Sequence, residues 1–232
     1  MRTFLPQYNR KELKVKGFVI FGKGDFADIV RYIIEEEMRA EVVCYTVNEK
    51  HMDTTMYNGI PVVAFEHIED YYAPHEYNAT IAYEGKDMYK SREKIHNTFL
   101  EKGYSMENVV SSTAVITNCM IGCGNIVMQN CLLCPFSTIG DGNVFWGTSQ
   151  IQHHNIVGSF NCIAPSVSPC GYSEIGNHCF VGNSAVIKSG VSLSDYTFVG
   201  AGAYVDRDTQ YGEAVLPPRS IYMKDKMAFD FL

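Results

Sequence analysis

From residue 113 the chain can be written in sixes for seventeen consecutive hexads without an insertion, from TAVITN through SQIQHH to AYVDRD and TQYGEA. The third place of each hexad runs Val115, Ile121, Val127, Leu133, Ile139, Phe145, Ile151 and so on to Tyr211, and only Pro169 and Tyr211 break its strongly apolar character. The fourth place is glycine at seven positions, among them Gly122, Gly140, Gly158, Gly176, Gly182, Gly200 and Gly212. The first place is small or Asn almost throughout, as at Asn125, Ser137, Asn143 and Asn155. A period of six fits neither the 3.6 of a helix nor the alternation of a simple strand. It fits a triangular coil: one hexad per flat face, three per turn. The third residue points inward and stacks on its equivalent one coil away. The small first residue lets the chain bend at the corner. Such a solenoid buries a core only by piling up coils.

A stretch of about 110 residues precedes the repeat, and it reads differently. Gly17–Gly22 is a short apolar strand, followed by a Gly-rich turn and an amphipathic segment carrying Ile29, Val30, Tyr32, Ile33 and Ile34. Strands are expected at 41–46, 61–65 and 78–83, and a helix at 89–102 with Ile95, Phe99 and Leu100 inward. Strands alternating with helices imply a small parallel sheet. Gly22, Gly24 and Ala27 form a G-x-G-x-x-A pattern, which can set a pyrophosphate on a helix N-terminus. A nicotinamide site is disfavoured: the unit is short for a full dinucleotide fold, and Asn48 stands where a ribose-gripping acid is expected.

Composition removes other classes. Of 232 residues, 46% are apolar and 19% charged, with a formal net charge of −7 and no basic cluster, so nucleic acid is not an expected partner. No apolar run reaches about 18 residues, and residues 1–16 lack the apolar core of a signal peptide, which reads as a cytoplasmic protein. The eight cysteines are expected to be reduced there. Cys131-Leu-Leu-Cys134, with Cys119 and Cys123 nearby, has the spacing of a zinc or redox site. The repeat accounts for the same positions as small apolar slots, and this reading is preferred.

The hexad SQIQHH places His153 and His154 at and beside a corner, facing outward. An outward-facing imidazole pair suits general-base chemistry near neutral pH. Covalent catalysis through a cysteine is the alternative, with Cys162 and Cys170 within one coil of the pair. His153, His154 and His178 lack the helical spacing and carboxylate company of a metal site, and no metal is expected; His178 reads as structural.

The repeat over about 112–215 resembles the hexapeptide-repeat acyltransferases. The small α/β unit before it narrows the likeness to the nucleotide-amino-sugar N-acetyltransferases and sialic acid O-acetyltransferases. The stretch from His153 to Asn183 resembles their active-site segment without a gap. The resemblance implies an α/β domain at 1–108 that holds a nucleotide sugar, a left-handed parallel β-helix at 109–215, and a C-terminal cap at 216–232. It implies a homotrimer with active sites between subunits and acetyl-CoA as co-substrate. It makes His153 the general base, with His154 where relatives carry an acid, and Gly171 the backbone donor to the acetyl carbonyl. Asn161 falls near the thioester, and Asn183 with Gly200, Ala201 and Gly202 falls along the pantetheine. Lys188, Arg207, Arg219, Lys224 and Lys226 are candidates for the CoA phosphates. Gly22, Gly24, Asp25, Phe26, Asn48 and Lys50 fall around the nucleotide and Trp146 beside the sugar; Phe26 replaces a frequent histidine. The expected reaction is N-acetylation of a nucleotide-linked (UDP, dTDP or GDP) amino-deoxy sugar in surface-glycan biosynthesis. The alternatives are O-acetylation of a sugar hydroxyl and a non-catalytic nucleotide-sugar-binding trimer.

Overall fold

The computed structural model describes residues 16–85, 87–223 and 227. The front unit is a six-stranded sheet in the order β3-β4-β2-β1-β5-β6, where β1 is Phe18–Phe21, β2 Val42–Val47, β3 Met56–Tyr57, β4 Ile60–Ala64, β5 Asn78–Ile81 and β6 Ser105–Met106. All neighbours are parallel except the β3–β4 hairpin. The strands β1 and β5 are buried on both faces, which is why they read as continuous apolar runs rather than alternating ones. Helix α1 (Asp25–Tyr32) buries Ala27 and Val30 and runs on into a π turn, Ile33–Glu37, that buries Ile33 and Ile34. Ile29 and Tyr32 lie on its exposed side. Helix α2 (Lys90–Glu101) buries Ile95 and Phe99, whereas Leu100, expected inward, is 46% exposed.

The first prism strand, Val109–Val110, follows directly on β6. From there the chain winds through two-residue strands, all parallel, on three faces. The docked face has seven strands, from Val109–Val110 to Ala214–Val215. The second face carries Gln150–Ile151 and Ser168–Pro169, and the third carries Ile156–Val157 and Glu174–Ile175. Ile151, Val157, Ile163, Val181 and Ile187 are essentially inaccessible. Each such side chain contributes roughly 1.5–3 kcal/mol of burial, and truncating one to Ala would cost about 2–5 kcal/mol.

Every sixth residue from Asn118 to Gly202 has φ between +44° and +74°. The sixth place of the hexad is thus the left-handed corner residue, tolerated here by Phe, His, Tyr, Ser and Thr as well as Gly and Asn. The small first residue lies inside the bend. At one corner these form an internal ladder: Asn125 Oδ1 accepts from Asn143 N at 2.9 Å, and Asn143 Oδ1 from Asn161 N at 2.9 Å.

The repeat departs from strict sixes at three places. Val115 is 52% exposed, because Ile116 pairs with Leu133 and takes the inner register. At Pro169 the second face is split into two three-stranded pieces, although Gln150 N still donates to Val167 O at 2.9 Å, and Ser168 N and Cys170 N donate to the following coil at 3.1 and 2.8 Å. At the end, Ala214–Val215 pairs with Phe198–Val199 after 16 residues instead of 18. Val215 therefore takes the place that strict spacing gives residue 217, and on the third face Thr209, whose N donates to Ser192 O at 3.0 Å, is buried where Tyr211 was expected; Tyr211 is 72% exposed.

The front unit sits on the docked face. Ile126, Val144 and Cys162 point outward from the prism yet are buried. Arg92, fully buried in α2, donates from Nε to Gly142 O at 2.8 Å and from Nη1 to Ile81 O at 2.6 Å, joining the two parts. Its burial pulls the guanidinium down to about 10. Glu37, at the end of the π turn, accepts from Ser111 Oγ, Ser112 N and Gln129 Nε2 at 2.5, 2.7 and 2.6 Å. The cysteines fill slots. Cys131 Sγ donates to Trp146 O at 3.2 Å, and burial pushes Cys119 and Cys123 up to about 11. That environment is opposite to the one a thiolate ligand needs.

Candidate active site

His153 and His154 end the Gln150–Ile151 strand at the corner between the second and third faces, away from the front unit. His154 is the left-handed residue, φ 58°. Its ring lies between Phe136 (centroids 4.9 Å) and Tyr172 (4.8 Å, 19°), the corner residues one coil before and after. His153 Nδ1 is 3.1 Å from His154 Nδ1. Both histidines are exposed, and among the described residues neither ring forms an ion pair with Asp or Glu.

The His153 ring packs on Gly171, one coil later. A Cβ at Gly171 would lie 2.5 Å from His153 Cε1 and 2.8 Å from Nε2, so only glycine lets the ring lie against that backbone. Tyr172 N donates to His153 O at 3.2 Å, and Ser189 Oγ donates to Gly171 O at 2.7 Å. The Gly171 N–H bonds to no acceptor among the described residues. A base and an open backbone donor are thus adjacent, which is the minimum that acyl transfer requires. Of the two cysteines considered for covalent transfer, Cys162 is buried, and burial pushes its thiol up to about 11. It is not an activated nucleophile.

The residues assigned to the nucleotide gather elsewhere. Gly24, φ 109°, caps α1 with nothing within 4 Å of a Cβ position, leaving room above the helix N-terminus. Gly22 is different: a Cβ there would strike Ala82 O, so it serves close packing rather than an open site. Asp25 is exposed in the first turn of α1, and Asn48 precedes the short turn that holds the exposed Lys50. Lys23, which sequence reasoning passed over, pairs with Asp53 across this crevice. Phe26 stacks on Trp146, ring centroids 5.4 Å apart, joining a front-unit residue to the prism.

Two cofactor assignments need correction. Asn161 is 1% exposed and spends its side chain inside the prism, donating to Gly176 O at 2.9 Å and accepting from Cys179 N at 2.6 Å. It cannot reach a thioester in the groove. Gly200 is buried beneath the start of the tail, where its Cβ position lies 3.1 Å from Leu216 and Pro217 side-chain carbons. Asn183, Ala201 and Gly202 do line the surface at the corner between the docked and second faces, and Gly202 N donates to Asn183 O at 2.8 Å. Of the basic candidates, Arg207 is engaged by Glu213 at 2.6 Å, which pulls that carboxyl down to about 2. Lys188 and Arg219 are exposed, and Lys224, Lys226 and the apolar chain end lie outside the described residues. His178 is buried at the corner beneath α2, in a structural setting. Sequence reasoning also missed Phe136, Tyr172 and Ser189; the 18-residue spacing of the corner places marks the first two.

No family model matches the chain, and no curated protein sequence matches it. Solved structures do. The acetyltransferase domain of PglB from Neisseria gonorrhoeae, also solved with acetyl coenzyme A, is 19% identical with a TM-score of 0.78, over 87% of this chain and 97% of that one. GDP-perosamine N-acetyltransferase from Caulobacter crescentus, solved with CoA and GDP-perosamine, is 23% identical with a TM-score of 0.79, over 89% and 96%. WeeI from Acinetobacter baumannii is 23% identical with a TM-score of 0.72, over 86% and 96%. No helix among the described residues is long and apolar enough to cross a membrane. The chain therefore has the fold of these acetyltransferases: a small α/β domain followed by a left-handed parallel β-helix.

Proposed function

We propose that the protein is an acetyl-CoA-dependent N-acetyltransferase acting on the amine of a nucleotide-linked amino sugar, with His153 as general base. The observation that carries this reading is the packing of the exposed His153 ring on Gly171, whose N–H is open. The amine attacks the thioester carbonyl as His153 removes its proton, and the Gly171 N–H receives the oxyanion. Gly24, Phe26, Asn48 and Lys50 hold the nucleotide, Trp146 borders the sugar, and Asn183 and Gly202 border the pantetheine. Among the described residues no carboxylate pairs with His153 to strengthen it as a base, which favours an amine, already nucleophilic once neutral, over a hydroxyl, which must be deprotonated as it attacks.

The working unit in this reading is a homotrimer in the cytoplasm. Trp146 and Gly202 belong to one corner of the prism and His153 to another. One prism side separates them, about 20 Å at ~3.3 Å per residue. A neighbouring chain that sets its His153 corner against this groove completes the site. Met120, Phe136, Ile156 and Tyr172, each more than half exposed, are the apolar surface available for that contact.

The test is CoA thiol release from acetyl-CoA with UDP-, dTDP- and GDP-linked amino sugars. Turnover on one of them, cut about 100-fold by His153→Ala, is expected. No turnover on any amino sugar would sink the N-acetyltransferase reading. Mixing His153→Ala with a Gly24→Trp variant tests the trimer: activity should return only if sites form between chains.

A further inference from the structure

A general base is improved by a partner that fixes its tautomer and carries away the charge it acquires. Here the partner is a second imidazole. Two nitrogen lone pairs cannot face each other at 3.1 Å, so one proton lies between His153 Nδ1 and His154 Nδ1. For His153 to accept a proton on Nε2, the atom beside Gly171, that shared proton must be its own Nδ1–H donated to His154. His154 in turn is held by its left-handed backbone, by Pro135 O accepting from its N at 3.3 Å, and by the Phe136 and Tyr172 rings on its two sides. The groups packed against the pair from the adjoining coils are Pro135, Phe136, Gly171 and Tyr172; the one titratable side chain among them is the Tyr172 phenol.

We infer that His154 is a positioning residue that forms a two-imidazole proton relay with His153, its cationic form held between the faces of Phe136 and Tyr172. This rests on the proposed acetyl transfer. In the step, the amine lone pair forms the C–N bond and the C–S electrons leave on the CoA sulfur. The amine proton passes to His153 Nε2 while the His153 Nδ1 proton passes to His154 Nδ1. His153 ends neutral in its other tautomer, and His154 holds the extra proton. Flat aromatic faces stabilise that cation, in the place of a carboxylate. Because His154 is exposed, the proton can then leave to water or neutralise the departing thiolate.

His154→Phe preserves the ring stack and removes the nitrogen. An aromatic ring suits this backbone, since Phe136, Phe160 and Tyr172 hold the same corner conformation. The variant should keep its melting temperature and its KM for the nucleotide sugar and lose about 10-fold or more in kcat. His154→Glu should retain turnover with the acid limb of the pH–rate profile moved up by about one pH unit, because a fixed negative charge favours the imidazolium. NMR of histidine-labelled protein without substrate provides a readout independent of turnover. The wild type should show His153 protonated at Nδ1, with that proton hydrogen-bonded to His154. In His154→Phe, the neutral His153 ring should shift toward the Nε2–H tautomer. Wild-type His153 protonated at Nε2, or unchanged kcat in His154→Phe, would overturn the relay. Failure of the acetyltransferase reading would show separately, as absence of CoA release by the wild type.

Discussion

Two corners of the prism carry the same triplet. Phe136, His154 and Tyr172 stack at 18-residue intervals on one; Phe160, His178 and Tyr196 stack at the same intervals on another, with centroids 5.7 and 4.8 Å apart. Backbone and stacking are alike. The difference is what covers them. The second triplet lies under α2: His178 Nδ1 donates to Met88 O at 3.1 Å, and Nε2 lies 3.3 Å from a Glu93 carboxylate oxygen. Lys90 lies over the Tyr196 ring at 4.8 Å. The first triplet is exposed, and among the described residues the polar partner of its histidine ring is another histidine.

The fifth places of the hexads differ in the same sense. At the covered corner, Cys123, Asp141, Ser159 and Asn177 each donate N–H to a side-chain oxygen of the next coil, at 2.7, 3.0, 2.8 and 2.7 Å. At the open corner Pro135, His153 and Gly171 occupy those places, and the Gly171 N–H is left open. A satisfied ladder stabilises; an unsatisfied donor beside a base is available for chemistry. One repeat thus builds two corners, one covered by the front unit and one left open, where the proposed site lies.

The comparison can be broken by substitution. The largest effect should come from Gly171→Ala, which places a methyl group in the His153 ring: about 100-fold lower kcat/KM, with the melting temperature little changed. Retained activity would separate Gly171 and the ring from the reaction. Next, His178→Ala should destabilise by about 2 kcal/mol, read from urea unfolding, because it strips a buried stack and two polar contacts. His154→Ala, at an exposed site, should cost less than about 0.5 kcal/mol. Equal losses would mean that the two corners are structurally equivalent. Glu93→Gln, which keeps a hydrogen-bonding oxygen, should cost about 1 kcal/mol or less.

The smallest effect is a pH dependence on the docked side. Partial burial pushes the Glu37 carboxyl up, but hydrogen bonds from Ser111, Gln129 and Ser112 outweigh it and hold the group below its ordinary value. A lowered folded value means that this stabilisation is complete above the unfolded carboxyl's range, near 4.3, and is lost as pH falls through the folded value. Thermal unfolding between pH 6 and 3 should show a steeper acid loss in the wild type than in Glu37→Gln. Parallel curves would remove Glu37 from the acid response.

The hexads were legible because each inner residue obeys a local steric rule, repeated until the register is unambiguous. The departures were less legible. Ile116 takes the place expected of Val115, and Val215 that of residue 217, because the first and last coils have a neighbouring coil on one side only to hold the register. Gly22 and Gly24 look alike in a motif, yet Ala82 packs on the first and open space lies over the second. Asn161 and His153 both look like polar residues poised for chemistry; only the winding turns one inward and leaves the other outside.

What the amino-acid order determined by itself is the coil, the parallel front sheet and the residue types available for acyl transfer, since these depend on period, apolar pattern and side-chain chemistry. The tertiary structure decided which of two identical triplets would be covered. That choice depends on where α2 and its Glu93 land, and the contacts responsible, from Arg92 to Gly142 and from Glu37 to Ser111, join residues 50 and 74 positions apart. No local rule carries that information. It arises when the front unit closes on one face of the prism and leaves the His153 corner free.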